Sequence, residues 1–67
     1  MTAEEFNDEH PIGTSVIAYP GSRLGRALTT QTRSAAWTPG HGTAVVLVEG
    51  HAGHISLTHV DVIGGAA

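Results

Sequence analysis

The residues with the most obvious chemical potential are histidines, three of which fall close together near the end of the chain. His51 and His54 are separated by two residues across a short turn, and His59 follows five residues later. Imidazole is the commonest metal ligand, and three histidines suit zinc. Two histidines flanking a tight turn need not point the same way, however, and only Glu49 and Asp61 are close enough in sequence to complete a ligand set. The pattern favours solvated histidines over a metal site, and it leaves open a pH-responsive or ligand-facing role for His59.

Nucleophilic catalysis is disfavoured, although serine, histidine and aspartate all occur. No Gly-x-Ser-x-Gly elbow is present, and Ser34 and Ser56 lie in strand patterns without a helix N-terminus to form an oxyanion hole. The glycine-rich stretches 40–42 and 50–53 lack the lysine and helix of a phosphate-binding loop. The absence of cysteine removes thiol chemistry, disulfides and thiolate metal sites. We expect a protein that is not an enzyme and that holds no metal or cofactor.

Length and charge exclude further classes of function. The chain has 67 residues, a net charge of −3 and only three basic residues, all arginine. A chain of this size buries only about 60% of its unfolded surface, so a deep active site is not expected. The acidic balance works against non-specific binding to nucleic acid. The longest apolar run, Ala44–Val48, is far too short to span a membrane, and the first residues lack the features of a signal peptide, so we expect a cytoplasmic protein.

Residues 1–11 differ in composition from the rest of the chain. They hold four of the six acidic residues. Thr2 and Glu5 have the spacing of a capping box, but Pro11 limits any helix to about two turns. We expect a flexible acidic arm, with room for a short helical turn, that is dispensable for folding.

The remainder indicates about five short strands separated by glycine and proline turns. The expected strand segments are Ser15–Tyr19, Ala27–Thr38, Thr43–Glu49, His54–Leu57 and Val60–Ile63. Such strands predict a small, strongly bent β-barrel over residues 12–63, followed by a flexible tail at 64–67. The run Val45–Val48 has no polar face, so both of its sides should be covered. Because so small a core has few residues to cover both, we expect self-association into a homo-oligomer.

The segment Gly53–Ile63, GHISLTHVDVI, resembles the closing segment of an SH3-type barrel. In that family a glycine leads a strand, a single 3₁₀ turn follows, and a short final strand completes the barrel. The resemblance implies a first strand at Val16–Tyr19 and a late strand at Gly53–Leu57. It implies a 3₁₀ turn at Thr58–Val60 and a last strand at Asp61–Ile63. It covers roughly residues 12–63 and implies an all-β, five-stranded SH3-like barrel. The chain also resembles short uncharacterised proteins of high-GC bacteria and their plasmids and phages, which implies no activity.

The SH3 resemblance places Tyr19 and His59 near the groove that the family uses for ligands. His59 stands where the family has a ligand-facing tyrosine. The paired tryptophans that usually precede the middle strand of eukaryotic members are missing, and Trp37 stands alone before a turn. Arg23 and Arg26 replace the acidic cluster of the long loop. Binding of proline-rich peptides needs an aromatic-lined groove and is therefore not expected.

Arginine and exposed aromatic residues are the types that interface centres favour. The candidate partner-binding residues are Tyr19, Arg23, Arg33, Trp37 and His59. Two alternatives remain open, since Trp37 could be buried in a poor core and the arginines could balance the acidic arm. We expect a non-catalytic protein-interaction or self-assembling module with a protein partner of unknown identity. The alternative is a nucleic-acid-binding SH3-like accessory protein, which would need the arginines on one face.

Overall fold

The computed structural model describes residues 2–22, 24–40 and 42–64. The elements are helix α1 (Ala3–Glu9), strands β1 (Ser15–Ala18), β2 (Leu28–Gln31), β3 (Val45–Val46) and β4 (Ile55–Ser56), a 3₁₀ turn η1 (Leu57–His59), and strand β5 (Val60–Gly64). The protein is therefore mostly strands with one short helix, and the expectation of five strands is confirmed. The expected tail lies outside the described residues from position 65 onward. None of the helical segments in the described ranges is long and apolar enough to cross a membrane.

The strands form two antiparallel sheets. One has the order β2-β1-β5, and the other pairs β3 with β4. Single bridges from Thr32 to Val48 and from Trp37 to Val45 connect the chain after β2 to β3 and its extension. The sheets are open, so the expected closed barrel is wrong. Closure needs a continuous, staggered ladder around the barrel, and β3 and β4 contribute only two residues each.

The turn before the last strand lies one residue earlier than the resemblance implied. It spans Leu57–His59 rather than Thr58–Val60. Ser56 determines this start, because its hydroxyl accepts a hydrogen bond from the Thr58 N–H at 3.2 Å. Hydroxyl side chains are favoured at such capping positions.

Helix α1 occupies the segment that was expected to be a flexible arm. The Thr2 N–H donates to Glu5 Oε1 at 2.9 Å and the Glu5 N–H donates to Thr2 Oγ1 at 3.1 Å, which completes the capping box. The helix ends at Glu9, and its C-cap residue His10 lies immediately before Pro11. Phe6 is only 3% exposed and belongs to the core. This segment therefore packs as part of the fold, because a small aliphatic core gains a large apolar side chain when Phe6 is buried.

The core is built from side chains of the helix and of both sheets. Its buried members are Phe6, Val16, Ala18, Ala36, Val46, Val48 and Ile55. Within a single chain Val45, Val46 and Val48 are buried and Leu47 is half-buried. The reason for expecting self-association through Val45–Val48 is thereby removed, since one copy already covers this run.

Candidate functional site

Arg33 lies just after β2 and is bound to the turn that connects β3 and β4. Its Nε donates to the Val48 carbonyl at 2.9 Å, and its Nη2 donates to the carbonyls of His51 and Ala52 at 3.1 and 3.2 Å. The Arg33 N–H also donates to the Leu47 carbonyl at 2.9 Å. A guanidinium in contact with several carbonyl oxygens joins backbone segments that are distant in sequence. Arg33 therefore stabilises the turn, and these donors are not available to a partner.

Trp37 lies four residues after Arg33, in the connection between β2 and β3. Its backbone forms both hydrogen bonds of a bridge with Val45, at 2.9 and 2.8 Å. Its ring meets the His54 ring edge to face, with centroids 6.0 Å apart. The side chain nevertheless keeps 38% of its surface exposed. Trp37 is thus a large aromatic residue that is held in place while part of its ring faces solvent.

A cleft of about 500 Å³ separates Trp37 from helix α1. Residues 2–4 and Asn7 line the helix side, and residues 36–38 line the opposite side. Asn7 joins the two sides: its Nδ2 donates to the Ala36 carbonyl at 3.0 Å, and its Oδ1 accepts from the Ala36 N–H at 2.7 Å. A side-chain amide that pairs with both backbone groups of one residue fixes the distance between two elements. The volume is within the range of small-ligand sites.

The helix side of this cleft is acidic. Glu4 lines the cleft, and Glu5 is the next residue. The hydrogen bonds from the Thr2 backbone and the Thr2 hydroxyl hold the pKa of Glu5 below its ordinary value of 4.5. In the described ranges, which leave out Arg23, the acids of α1 make a single ion-pair contact, between Glu9 and His10 at 4.0 Å. The helix therefore gives one side of the cleft a negative charge.

Tyr19 and His59 are brought together by the backbone, where the Tyr19 N–H donates to the His59 carbonyl at 2.8 Å. The His59 side chain lies at the end of a short row of polar side chains that contact one another. Ser56 Oγ and Thr58 Oγ1 are 2.8 Å apart, and Thr58 Oγ1 lies 3.2 Å from His59 Nδ1. A hydroxyl beside an imidazole can be a nucleophile and its base. Here the Ser56 hydroxyl caps η1 and Thr58 is exposed to water, which favours a structural role.

The five residues expected to bind a partner do not share one environment. Tyr19 and His59 are neighbours, Trp37 lines the acidic cleft, and Arg33 is bound to the turn. Arg23 lies outside the described residues. The contributions of Asn7 and Glu4 were missed, because residues 1–11 were interpreted as a solvated arm. The capping-box spacing of Thr2 and Glu5, together with a single aromatic at Phe6, was the signal that could have found them.

No three histidine, aspartate or glutamate side chains converge on a possible metal site within residues 2–22, 24–40 and 42–64. The ring of His54 instead packs against Trp37. His51 lines a second cleft of about 430 Å³, together with Arg26 and residues of the loop that follows β1.

Comparison of the chain with protein-family models, with curated proteins and with solved structures finds no match.

Proposed function

We propose that the protein is a non-catalytic interaction module that binds a protein partner on the surface around Trp37. The observation that carries this proposal is the state of the Trp37 side chain. Its backbone is paired with Val45, its ring packs against the His54 ring, and the residue remains 38% exposed beside a cleft. Tryptophan is strongly enriched among the residues that dominate binding energy, and a residue already held in place loses little entropy on binding.

We also propose that the fold is an open variant of the SH3-like arrangement. Two features support this. A single 3₁₀ turn directly precedes a short last strand, and that strand, β5, pairs antiparallel with the first strand, β1. In this interpretation Tyr19 and His59 are adjacent at one end of the β1–β5 pair.

The contacts of Arg33 bear on the nucleic-acid alternative. Arg26 and Arg33 are both exposed in the described part of the chain, but the Nε and Nη2 of Arg33 already donate to backbone carbonyls. Contact with a phosphate backbone depends on several cations acting together. A protein partner is therefore the better-supported proposal.

Self-assembly into a homo-oligomer remains a second proposal, with less support than binding to a different protein. One copy buries Val45, Val46 and Val48, so a homo-oligomer would have to use another surface. Light scattering at high micromolar concentration measures this directly. A monomeric mass would support binding to a different protein, and a dimer mass would favour self-assembly.

The test of the proposed function is partner capture from the native cell with matched variants. Trp37→Ala should abolish capture, whereas Leu24→Ala should leave it unchanged. Leu24 is a fair control because it is 98% exposed and lies in a different part of the molecule. Equal loss in both variants would indicate non-specific apolar adhesion, and unchanged capture in Trp37→Ala would contradict the proposal.

A further inference from the structure

We infer that the cleft between α1 and Trp37 binds an arginine side chain from a basic segment of the partner protein, with the guanidinium on the Trp37 ring and beside the Glu4 carboxylate. This inference rests on the proposed interaction role and names the chemistry that the partner must present. It uses three properties of the cleft: its aromatic side, its acidic side and the hydrogen bonds that hold the two sides together.

The aromatic side is Trp37. Among aromatic side chains the indole ring attracts cations most strongly, and guanidinium is the side-chain cation found on such rings most often. Trp37 lines the cleft and keeps 38% of its surface exposed, and its ring packs edge to face against His54. An apolar partner side chain would also find contact here, but it would leave the acidic side unpaired.

The acidic side is Glu4. Arginine suits a site with both a ring and a carboxylate, because its planar group stacks on an aromatic face and donates to a carboxylate at the same time. The positive end of α1 does not oppose this, since Thr2 and Glu5 cap the first turn and Glu5 is itself acidic. The chain as a whole carries a net charge of −3, which favours a cationic partner over an anionic one.

The two sides are fixed relative to each other before any ligand arrives. Asn7 makes two hydrogen bonds to Ala36, the residue next to Trp37, and Phe6 anchors the same helix in the core. Binding therefore need not order the helix, which reduces the cost of association. The cleft volume of about 500 Å³ accommodates one long side chain.

Trp37 is also the only tryptophan in the chain, so tryptophan fluorescence reports on the surroundings of this one ring. The probe is the tripeptide Gly-Arg-Gly with an acetylated N-terminus and an amidated C-terminus. A single surface anchor corresponds to millimolar affinity, so the titration should extend to about 10 mM. We expect a saturable change in Trp37 fluorescence. The same peptide with citrulline, which keeps the shape and lacks the charge, should bind at least about fivefold more weakly.

Two variants locate the charge that is recognised. Glu4→Gln should weaken binding of the arginine peptide by about threefold to fivefold, because one surface ion pair is lost. Asp8→Asn removes the same charge from the same helix at a position that does not line the cleft, and it should change affinity by less than about twofold. Circular dichroism confirms that both variants remain folded.

Three results would overturn the inference: equal binding of the arginine and citrulline peptides, equal effects of the two variants, or no saturable signal. If the arginine peptide fails to bind while Trp37→Ala still abolishes partner capture, the inference fails and the proposed function stands. If Trp37→Ala also leaves capture unchanged, both fail.

Discussion

The connection between β2 and β3 is held differently at Arg33 and at Trp37. Arg33 donates to carbonyls of the turn between β3 and β4. Trp37 lines the cleft beside helix α1 and keeps 38% of its surface exposed. Both residues are of the types that interfaces favour and both are exposed, but the Nε and Nη2 donors of Arg33 are already hydrogen-bonded within the chain. Residue type alone therefore does not identify a binding residue, because side-chain groups that already form hydrogen bonds within the chain are not available to a partner.

The largest expected effect concerns Phe6, which anchors the helix that forms one side of the Trp37 cleft. Phe6→Ala should lower the free energy of unfolding by about 3–5 kcal/mol. This is comparable to the total stability of roughly 3–5 kcal/mol expected for so small a core, so the variant should be largely unfolded at room temperature. Urea denaturation followed by circular dichroism measures the change. Phe6→Leu, which retains most of the volume, should fold, and an unchanged midpoint in Phe6→Ala would mean that α1 is a loose arm.

A smaller effect on stability is expected for Arg33. Arg33→Ala removes the side-chain hydrogen bonds to the turn and should lower the free energy of unfolding by about 1–2 kcal/mol. Arg26→Ala removes the same charge from an exposed position and should change stability little. Thermal melting of the two variants makes the comparison. If Arg33→Ala melts like the parent but loses partner capture, the roles assigned to Arg33 and Trp37 are wrong.

The smallest effect is a pH dependence of the capping box. The pKa of Glu5 is lowered in the folded chain, chiefly by the hydrogen bond from the Thr2 backbone and then by the Thr2 hydroxyl. Its contribution to stability is therefore complete above its unfolded pKa of 4.5, and it is lost as the pH falls through the lower folded value. Glu5→Gln keeps a capping side chain without this titration. Melting temperatures from neutral pH down to about 3 should fall less steeply in the variant. Parallel curves would show that Glu5 does not contribute.

The strands could be predicted from the sequence because the residues that indicate each strand are adjacent in the chain. The short β-branched segment at Ser15–Tyr19, closed by Pro20-Gly21, and the aliphatic run at Val45–Val48 mark segments in which the structure forms β1 and β3. Barrel closure was not accessible, because it depends on ladder length and β3 pairs only two residues with β4. The role of Phe6 was missed for a related reason, since an acidic segment with one aromatic is typical of a solvated tail and only the rest of the core determines whether that ring is needed.

The candidate site was only partly predictable. Trp37 could be singled out because it is a lone large aromatic, and it lines a cleft. Arg33 could not be separated from a binding residue, because its acceptors are backbone carbonyls that come close only when the turn between β3 and β4 is formed. The pairing of Asn7 with Ala36 joins residues 29 positions apart and has no local signal.

The central claim is that helix α1 is a fixed side of the Trp37 cleft, and amide hydrogen exchange at Ala36 tests it most directly. The Ala36 N–H donates to Asn7 Oδ1 at 2.7 Å, whereas the neighbouring Trp37 N–H donates to the Val45 carbonyl at 2.9 Å. If the helix is fixed, Ala36 should be protected to a degree similar to Trp37, and Asn7→Ala should release Ala36 alone. Exchange of Ala36 at the rate of an unprotected amide, with Trp37 still protected in the parent protein, would contradict the account.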